Sequence, residues 1–254
     1  MAFIDLSPEL VMLAGLSTLL AGFVKGAVGF AMPMIMISTL GSFLPPETAL
    51  AALILPTLIT NLWQALRGGW RAAWKSVVNF RLYLGFMLVA IVLSAQLVRI
   101  LPASAMLLTI GGVVTFFSAI QLVGFVPQIA DRSRGRVEVL VGTFAGLVGG
   151  VSGVWGPPLV LFLTTLGTGK REQMRVQGVI YALGAVTLTL AHVQSGVLNR
   201  ETAPFSILML VPALIGMGLG LKVHDRLPLA AFRRATLAVL ILVGLNLIRR
   251  ALFA

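Results

Sequence analysis

Gly22-Phe23-Val24-Lys25-Gly26-Ala27-Val28-Gly29-Phe30-Ala31-Met32-Pro33 and, 124 residues further on, Gly146-Leu147-Val148-Gly149-Gly150-Val151-Ser152-Gly153-Val154-Trp155-Gly156-Pro157 follow one pattern, G-x-x-x-G-x-x-G-x-x-x-P. Each stretch lies inside an apolar run, Leu10–Leu40 for the first and Val139–Leu166 for the second. As straight helices these runs of 31 and 28 residues would measure about 46 and 42 Å, against a hydrocarbon core of about 30 Å. Both must tilt hard, break or fold back. Their glycines and prolines favour a break, because Gly weakens a helix interior and Pro removes a backbone donor. A second reading of the same glycines is close helix packing of the small-xxx-small kind.

The rest of the chain fits this setting. Of its 254 residues, 58% are hydrophobic, 11% are charged and none is cysteine, where a soluble domain is about a quarter charged. That excludes a soluble globule, and the absence of a G-X-Y period excludes collagen. Six further apolar runs, approximately 48–66, 82–98, 103–126, 176–196, 203–221 and 235–248, are of single-span length. The expected fold class is therefore an all-α polytopic membrane protein. The net charge of +11 sits in short clusters between the runs, as juxtamembrane loops require, so no nucleic acid is expected as a partner. Residues 1–9 carry no basic n-region, so the first run is expected to stay in the mature protein.

The repeated pattern marks a duplication. Leu101-Pro102 and Leu227-Pro228 recur 126 residues apart in matching loops, dividing the chain into an N-terminal repeat, 1–128, and a C-terminal repeat, 129–254. Together these form one transmembrane domain. Lys and Arg collect on the cytoplasmic side of short loops, which tests how the runs cross. If all eight cross once, 10 basic residues fall inside and 8 outside; if the two long runs are hairpins returning to the side they came from, 14 fall inside and 4 outside. The second arrangement restores the bias. It gives each half a broken hairpin of two short arms plus three transmembrane helices, about ten membrane segments in all. An odd number of full crossings then makes the halves inverted repeats. Its weak point is the C-terminal Arg249-Arg250 pair, two of the four left outside.

A helix broken in the membrane frees N–H groups at one new end, and such backbone persists only where protein or a water-filled cavity surrounds it. Helix N-termini carry donors and partial positive charge, which suit an anion. Lys25 agrees in sign: it is the only formally charged residue far from a run end, at an insertion cost of about 2.5–3.5 kcal/mol. No Asp or Glu lies deep in a run, so an anionic substrate is one partner for it, while snorkelling or backbone carbonyls are the alternatives. Asn61 shares a helix face with Thr57 and Gln64, and Gln177 and Tyr181 lie on the sixth run; these line a path or bond between helices. Trp155, inside the second break, walls the site or anchors in lipid.

The paired signatures, Ala21 to Phe30 and Gly146 to Pro158, resemble those of the TauE/SafE sulfite and organosulfonate exporters. Many members carry a fuller run of glycines where this chain has Phe30-Ala31-Met32 and Val154-Trp155-Gly156. The resemblance implies a multi-pass transporter of the cytoplasmic membrane that exports sulfite, sulfoacetate or related small anions. It also implies that both glycine segments face the substrate. With the residues read above, the expected substrate-binding set is Lys25, Gly26, Gly29, Phe30, Asn61, Gly150, Ser152, Gly153, Trp155, Gly156, Gln177 and Tyr181. The expected partners are a small anion and the bilayer, with a homo-oligomer left open.

Two rival readings remain. A passive anion channel shares every feature above. A rhomboid-like intramembrane serine protease would use Ser152, in Gly150-Val151-Ser152-Gly153, with His192 on the next run. Against the protease, the first half has Val28 where the second has Ser152. No enzyme activity, cofactor or metal is expected: two histidines without cysteine or a membrane-embedded carboxylate make no usual metal site, and there is no nucleotide-binding loop.

Overall fold

Ser7 accepts a hydrogen bond from the Leu10 amide at 3.4 Å, and Pro8 opens the first helix, α1 (Pro8–Val28). The computed structural model describes residues 7–226 and 229–253. The repeated Leu227-Pro228 thus falls outside them. In the first half α1 is followed by α2 (Met32–Leu40), α3 (Pro46–Leu66), α4 (Trp70–Asn79), α5 (Arg81–Ala95) with a 3-10 turn to Arg99, and α6 (Ala103–Leu122). The second half holds α7 (Arg134–Ser152), α8 (Gly156–Thr165), α9 (Lys170–Gln194), α10 (Ala203–Leu208), α11 (Leu210–Arg226) and α12 (Leu229–Phe253). The chain is an all-helical, multi-pass membrane protein. Among the described residues, eight segments are long and apolar enough to cross, counting α10 and α11 as one. The bundle turns apolar side chains such as Leu20, Leu93, Leu147 and Leu242 outward, and buries Lys25, Asn61, Gln64 and Gln177.

The two long runs do break, though not into two short arms. The first arms, α1 and α7, keep 21 and 19 residues, whereas the second arms, α2 and α8, have 9 and 10. The glycine pattern divides its labour. A methyl on Gly22 or Gly26 would meet the carbonyl oxygens of Ala213 and Met217 on α11, and one on Gly146 or Gly150 those of Met87 and Ile91 on α5. These four glycines are packing glycines. The third glycine makes the break: Gly29 and Gly153 end α1 and α7 at φ 88° and 70°, a left-handed turn that glycine adopts without a Cβ penalty.

Packing registers give the helix directions. Gly22 and Gly26 meet Ala213 and Met217 in ascending order, so α1 runs parallel to α11, and α5 runs parallel to α7 by the same test. Asn61 reaches Tyr181 while Gln64 reaches Met174, so α3 and α9 are antiparallel. Gly111 meets Ile248 and Gly244 meets Thr115, making α6 and α12 antiparallel as well. Eight single crossings would alternate and leave α3 and α9, the second and sixth, parallel. Their opposition requires the half-helices to reverse the chain.

The basic clusters gather at one end. The Arg134 guanidinium lies 5.7 Å from the Phe80 ring centroid, and Arg175 Nε donates to Ser76 Oγ at 3.3 Å. Arg67, Arg171, Arg175 and His224 border one cavity, and Lys222 shares another with Arg67. At the other end, Arg250 has a local reason for its place: it donates to the carbonyl of Gly41 and caps the C-terminus of α2. Helix α4 lies within this basic end, in a stretch without an apolar run; its Trp70 and Trp74 are exposed, as on an interfacial amphipathic helix. In this cysteine-free chain, single cysteines at 135 and 171 are expected to label with an impermeant maleimide from one side of the membrane, and one at 200 from the other. Opposite-side labelling of 135 and 171 would contradict the reversal.

Candidate functional site

Lys25 leaves α1 one turn before the break at Gly29, so its side chain and the two breaks share one neighbourhood. It is 1% exposed, and its Nζ donates to Asn61 Oδ1 on α3. The Tyr181 ring lies 6.0 Å from the ammonium, within cation–π range. Asn61 is oriented in turn by its Nδ2, which donates to the Tyr181 carbonyl at 3.1 Å. The Tyr181 hydroxyl donates to the Gly156 carbonyl at 3.2 Å. Gly156, Tyr181, Asn61 and Lys25 therefore form a relay from the second break through α9 and α3 to the first. Among the described residues no carboxylate lies within ion-pair distance of Lys25.

These groups enclose a cavity bordered by both breaks: Phe30, Ala31, Pro33 and Met34 from one side, Gly153, Val154, Trp155 and Gly156 from the other, with Lys25, Asn61 and Tyr181 between. Helices α2 and α8 both begin here, so two N-termini, each carrying about half a positive charge, border the same space as the ammonium. Pro33, Pro157 and Pro158 sit in those first turns, where a missing N–H costs least. The cavity carries the Lys25 amine, has no acid among its described lining residues and is small: its volume is about 20 Å³, room for a water molecule. An oxyanion needs the surrounding helices to part.

Seven of the residues expected from sequence line this cavity: Lys25, Phe30, Asn61, Gly153, Trp155, Gly156 and Tyr181. Five do not. Gly26 and Gly150 are pressed against helix backbones, and Gly29 supplies the turn. Gln177 packs against Gly29 rather than the cavity, with a buried Oε1 that has no hydrogen-bond partner. Ser152 donates to the Val148 carbonyl at 2.6 Å and accepts from the Val154 amide at 3.0 Å, closing the turn at the break. His192 instead faces Ser195, at 3.2 Å, so Ser152 and His192 do not form a dyad. Ala31 and Met34, not singled out from sequence, also border the cavity. Their position two and five residues after the repeated glycine was the available signal.

Gln64, on the same α3 face as Asn61, seals one side. Its Nε2 donates to the carbonyls of Gly29 and Met174, each at 3.1 Å. A larger cavity of about 680 Å³, bordered by Phe116, Phe117, Leu140 and Phe144, is almost wholly apolar and offers an anion no cation.

The family model described as Sulfite exporter TauE/SafE matches residues 14–247. The chain is also similar to a protein of Cupriavidus necator named Probable sulfite/organosulfonate exporter TauE, with 25% identity over 255 residues, covering 96% of this chain and 97% of the relative. No solved structure gives a significant match.

Proposed function

The chain belongs to the TauE/SafE family of sulfite exporters, and from that premise we propose that it carries small oxyanions, sulfite or organosulfonates such as sulfoacetate, out of the cytoplasm across the cell membrane. One observation supports this reading above the others: two helix N-termini and a buried ammonium, without an acidic partner among the described residues, border a single cavity between the breaks. The anion binds Lys25 and the first turns of α2 and α8. The basic end of the bundle is cytoplasmic by the positive-inside rule.

The mechanism is alternating access between inverted repeats. Matching helices support it: α3 and α9 begin 124 residues apart and α6 and α12 begin 126 apart, and both pairs run antiparallel. Halves related by an axis along the membrane normal would place such mates parallel, so the antiparallel mates support an axis in the membrane plane. The registers agree residue by residue. Gly22 meets Ala213 while Gly146, 124 further on, meets Met87, 126 before Ala213.

Direction follows from the membrane potential. With the cytoplasm negative, each exported negative charge gains about 2.3 kcal/mol per 100 mV, so a dianion leaves without a coupling ion. Purified protein in liposomes tests the reading. Saturable sulfoacetate counterflow is expected, with net efflux accelerated by an interior-negative potential. No flux of sulfite or sulfonates would refute it, and unsaturable flux without counterflow would leave a channel.

A further inference from the structure

At the basic end a second cavity, about 510 Å³, opens above Gln64 and Met174 and is walled by Arg67 at the end of α3, Arg171 and Arg175 in the first turns of α9, and His224 in the last turn of α11. Among the described residues that wall it, three are arginines and none is acidic. A neighbouring carboxylate, Glu172, is held at 3.3 Å by Arg175, whose Nε also donates to Ser76 Oγ on α4. The N-terminus of α9 adds its dipole, with no side chain capping it. His224 donates from Nδ1 to the Ala27 carbonyl at 2.9 Å, tying the wall to α1 just before the break.

The floor connects this vestibule to the Lys25 cavity. Gln64 borders the vestibule and holds the Gly29 and Met174 carbonyls. One helical turn deeper on the same face of α3, Asn61 holds Lys25. Arg67, Gln64 and Asn61 are thus spaced i, i−3, i−6 from the mouth to the buried ammonium.

We infer that the vestibule is a second anion subsite, which loads an oxyanion from the cytoplasmic side through Arg67 and Arg171, and that Gln64 is the latch between it and the Lys25 cavity. This subsite presupposes the oxyanion carrier proposed above. Arginine suits the task because its planar fork matches two oxygens of a sulfonate at once, as it does a carboxylate or phosphate. Two stages also answer a physical difficulty. A dianion stripped of water in one step would have to enter a cavity with room for a single water, whereas a half-hydrated stop beside arginines divides that cost.

A single cysteine replacing Gly68 tests it, since Gly68 borders the vestibule and a Cβ there makes only ordinary contact with the Arg175 side chain at 3.4 Å. The probes are an anionic and a cationic methanethiosulfonate, with sulfoacetate as the protecting anion. The anionic reagent is expected to react about fivefold or more faster than the cationic one, relative to a small free thiol, as a positive local potential requires. Sulfoacetate should slow the labelling. Adding Arg67→Gln and Arg171→Gln should abolish both effects, and adding Lys25→Met should leave both intact. Equal reaction of the two reagents overturns the subsite. So does protection that survives loss of the arginines but disappears with Lys25, which would assign the anion to the deep cavity. Labelling needs no transport, so liposomes without flux would refute the carrier while protection at Gly68→Cys still reported the subsite.

Discussion

A Lys25→Met variant is expected to fold as well as the parent protein and to lose oxyanion transport by about tenfold or more. The two halves of that expectation have different sources. Methionine has nearly the length and volume of the lysine stem, so the space between α1, α3 and α9 stays filled. It also removes a desolvated charge that no carboxylate balances among the described residues. Replacing buried charges by apolar side chains of similar volume is often neutral or stabilising by about 1–4 kcal/mol. Against this, Asn61 Oδ1 loses its donor, at about 1–3 kcal/mol for an unsatisfied buried acceptor, so the two terms roughly cancel. Transport has no such compensation. A charge-assisted bond to the bound anion is worth about 1.5–3 kcal/mol, which is about ten- to a hundredfold in affinity. Counterflow in liposomes and thermal unfolding of the purified variant read the two effects separately. Adding Asn61→Leu should recover stability without recovering transport, because both polar partners are then gone. Parental counterflow in Lys25→Met would remove the ammonium from the site, and a variant that unfolds without transporting would make Lys25 structural.

The duplicated pattern announced the breaks, because glycine and proline at fixed spacing are local signals that need no tertiary partner. It could not say which glycine broke the helix. Gly22 and Gly26 look the same in sequence as Gly29, and only the helix that approaches them, α11, distinguishes packing from turning. The sign of the site was legible for a similar reason: a lone Lys in an apolar run with no embedded acid is a one-dimensional fact. Its partner was half legible. The periodicity of α3 placed Thr57, Asn61 and Gln64 on one face, but the 36-residue separation of Lys25 and Asn61 follows from the fold. Gln177 was misplaced because a polar residue on the right helix can point to either side of a break. Helix α4 was missed because its apolar positions are too few for a span.

The halves are also less alike than their signatures imply, and the difference lies in the side chains around the two breaks. Met174 and Gln177 pack against Gly29, and the matching pair against Gly153 is Leu50 and Leu53, each 124 residues earlier. The place of Lys25 is taken in the second half by Gly149, whose missing side chain leaves room for the Trp155 indole. One break is therefore polar and cationic, the other aromatic and apolar. In the proposed carrier, the first break would hold the anion and the second would wall the site.

That scaffold yields the other large effect. Gly146→Leu is expected to cost several kcal/mol of stability and Gly22→Ala or Gly146→Ala about 1–3 kcal/mol each, whereas Gly15→Ala and Gly85→Ala should be neutral or stabilising by up to about 1 kcal/mol. All four glycines lie in apolar helices, so composition predicts no difference between them. Contact does. A Cβ on Gly146 would stand 2.6 Å from the Ala90 side chain as well as against the Met87 carbonyl, and one on Gly22 would press on the Ala213 backbone. Around Gly15 and Gly85 nothing lies within 4 Å, and a methyl there adds helix propensity and faces lipid. Backbone atoms cannot rotate out of the way, so α5 and α7, or α1 and α11, must separate along the whole glycine row. The parallel pairs join opposite halves, each carrying one of the breaks, so separation also misaligns Lys25 with α8. Thermal unfolding of the four alanine variants in one detergent, with size-exclusion profiles to detect aggregation, reads the contrast. Equal losses at all four positions would mean that propensity rather than close approach holds these helices together, and the interlocked pairing of the halves would lose its physical basis.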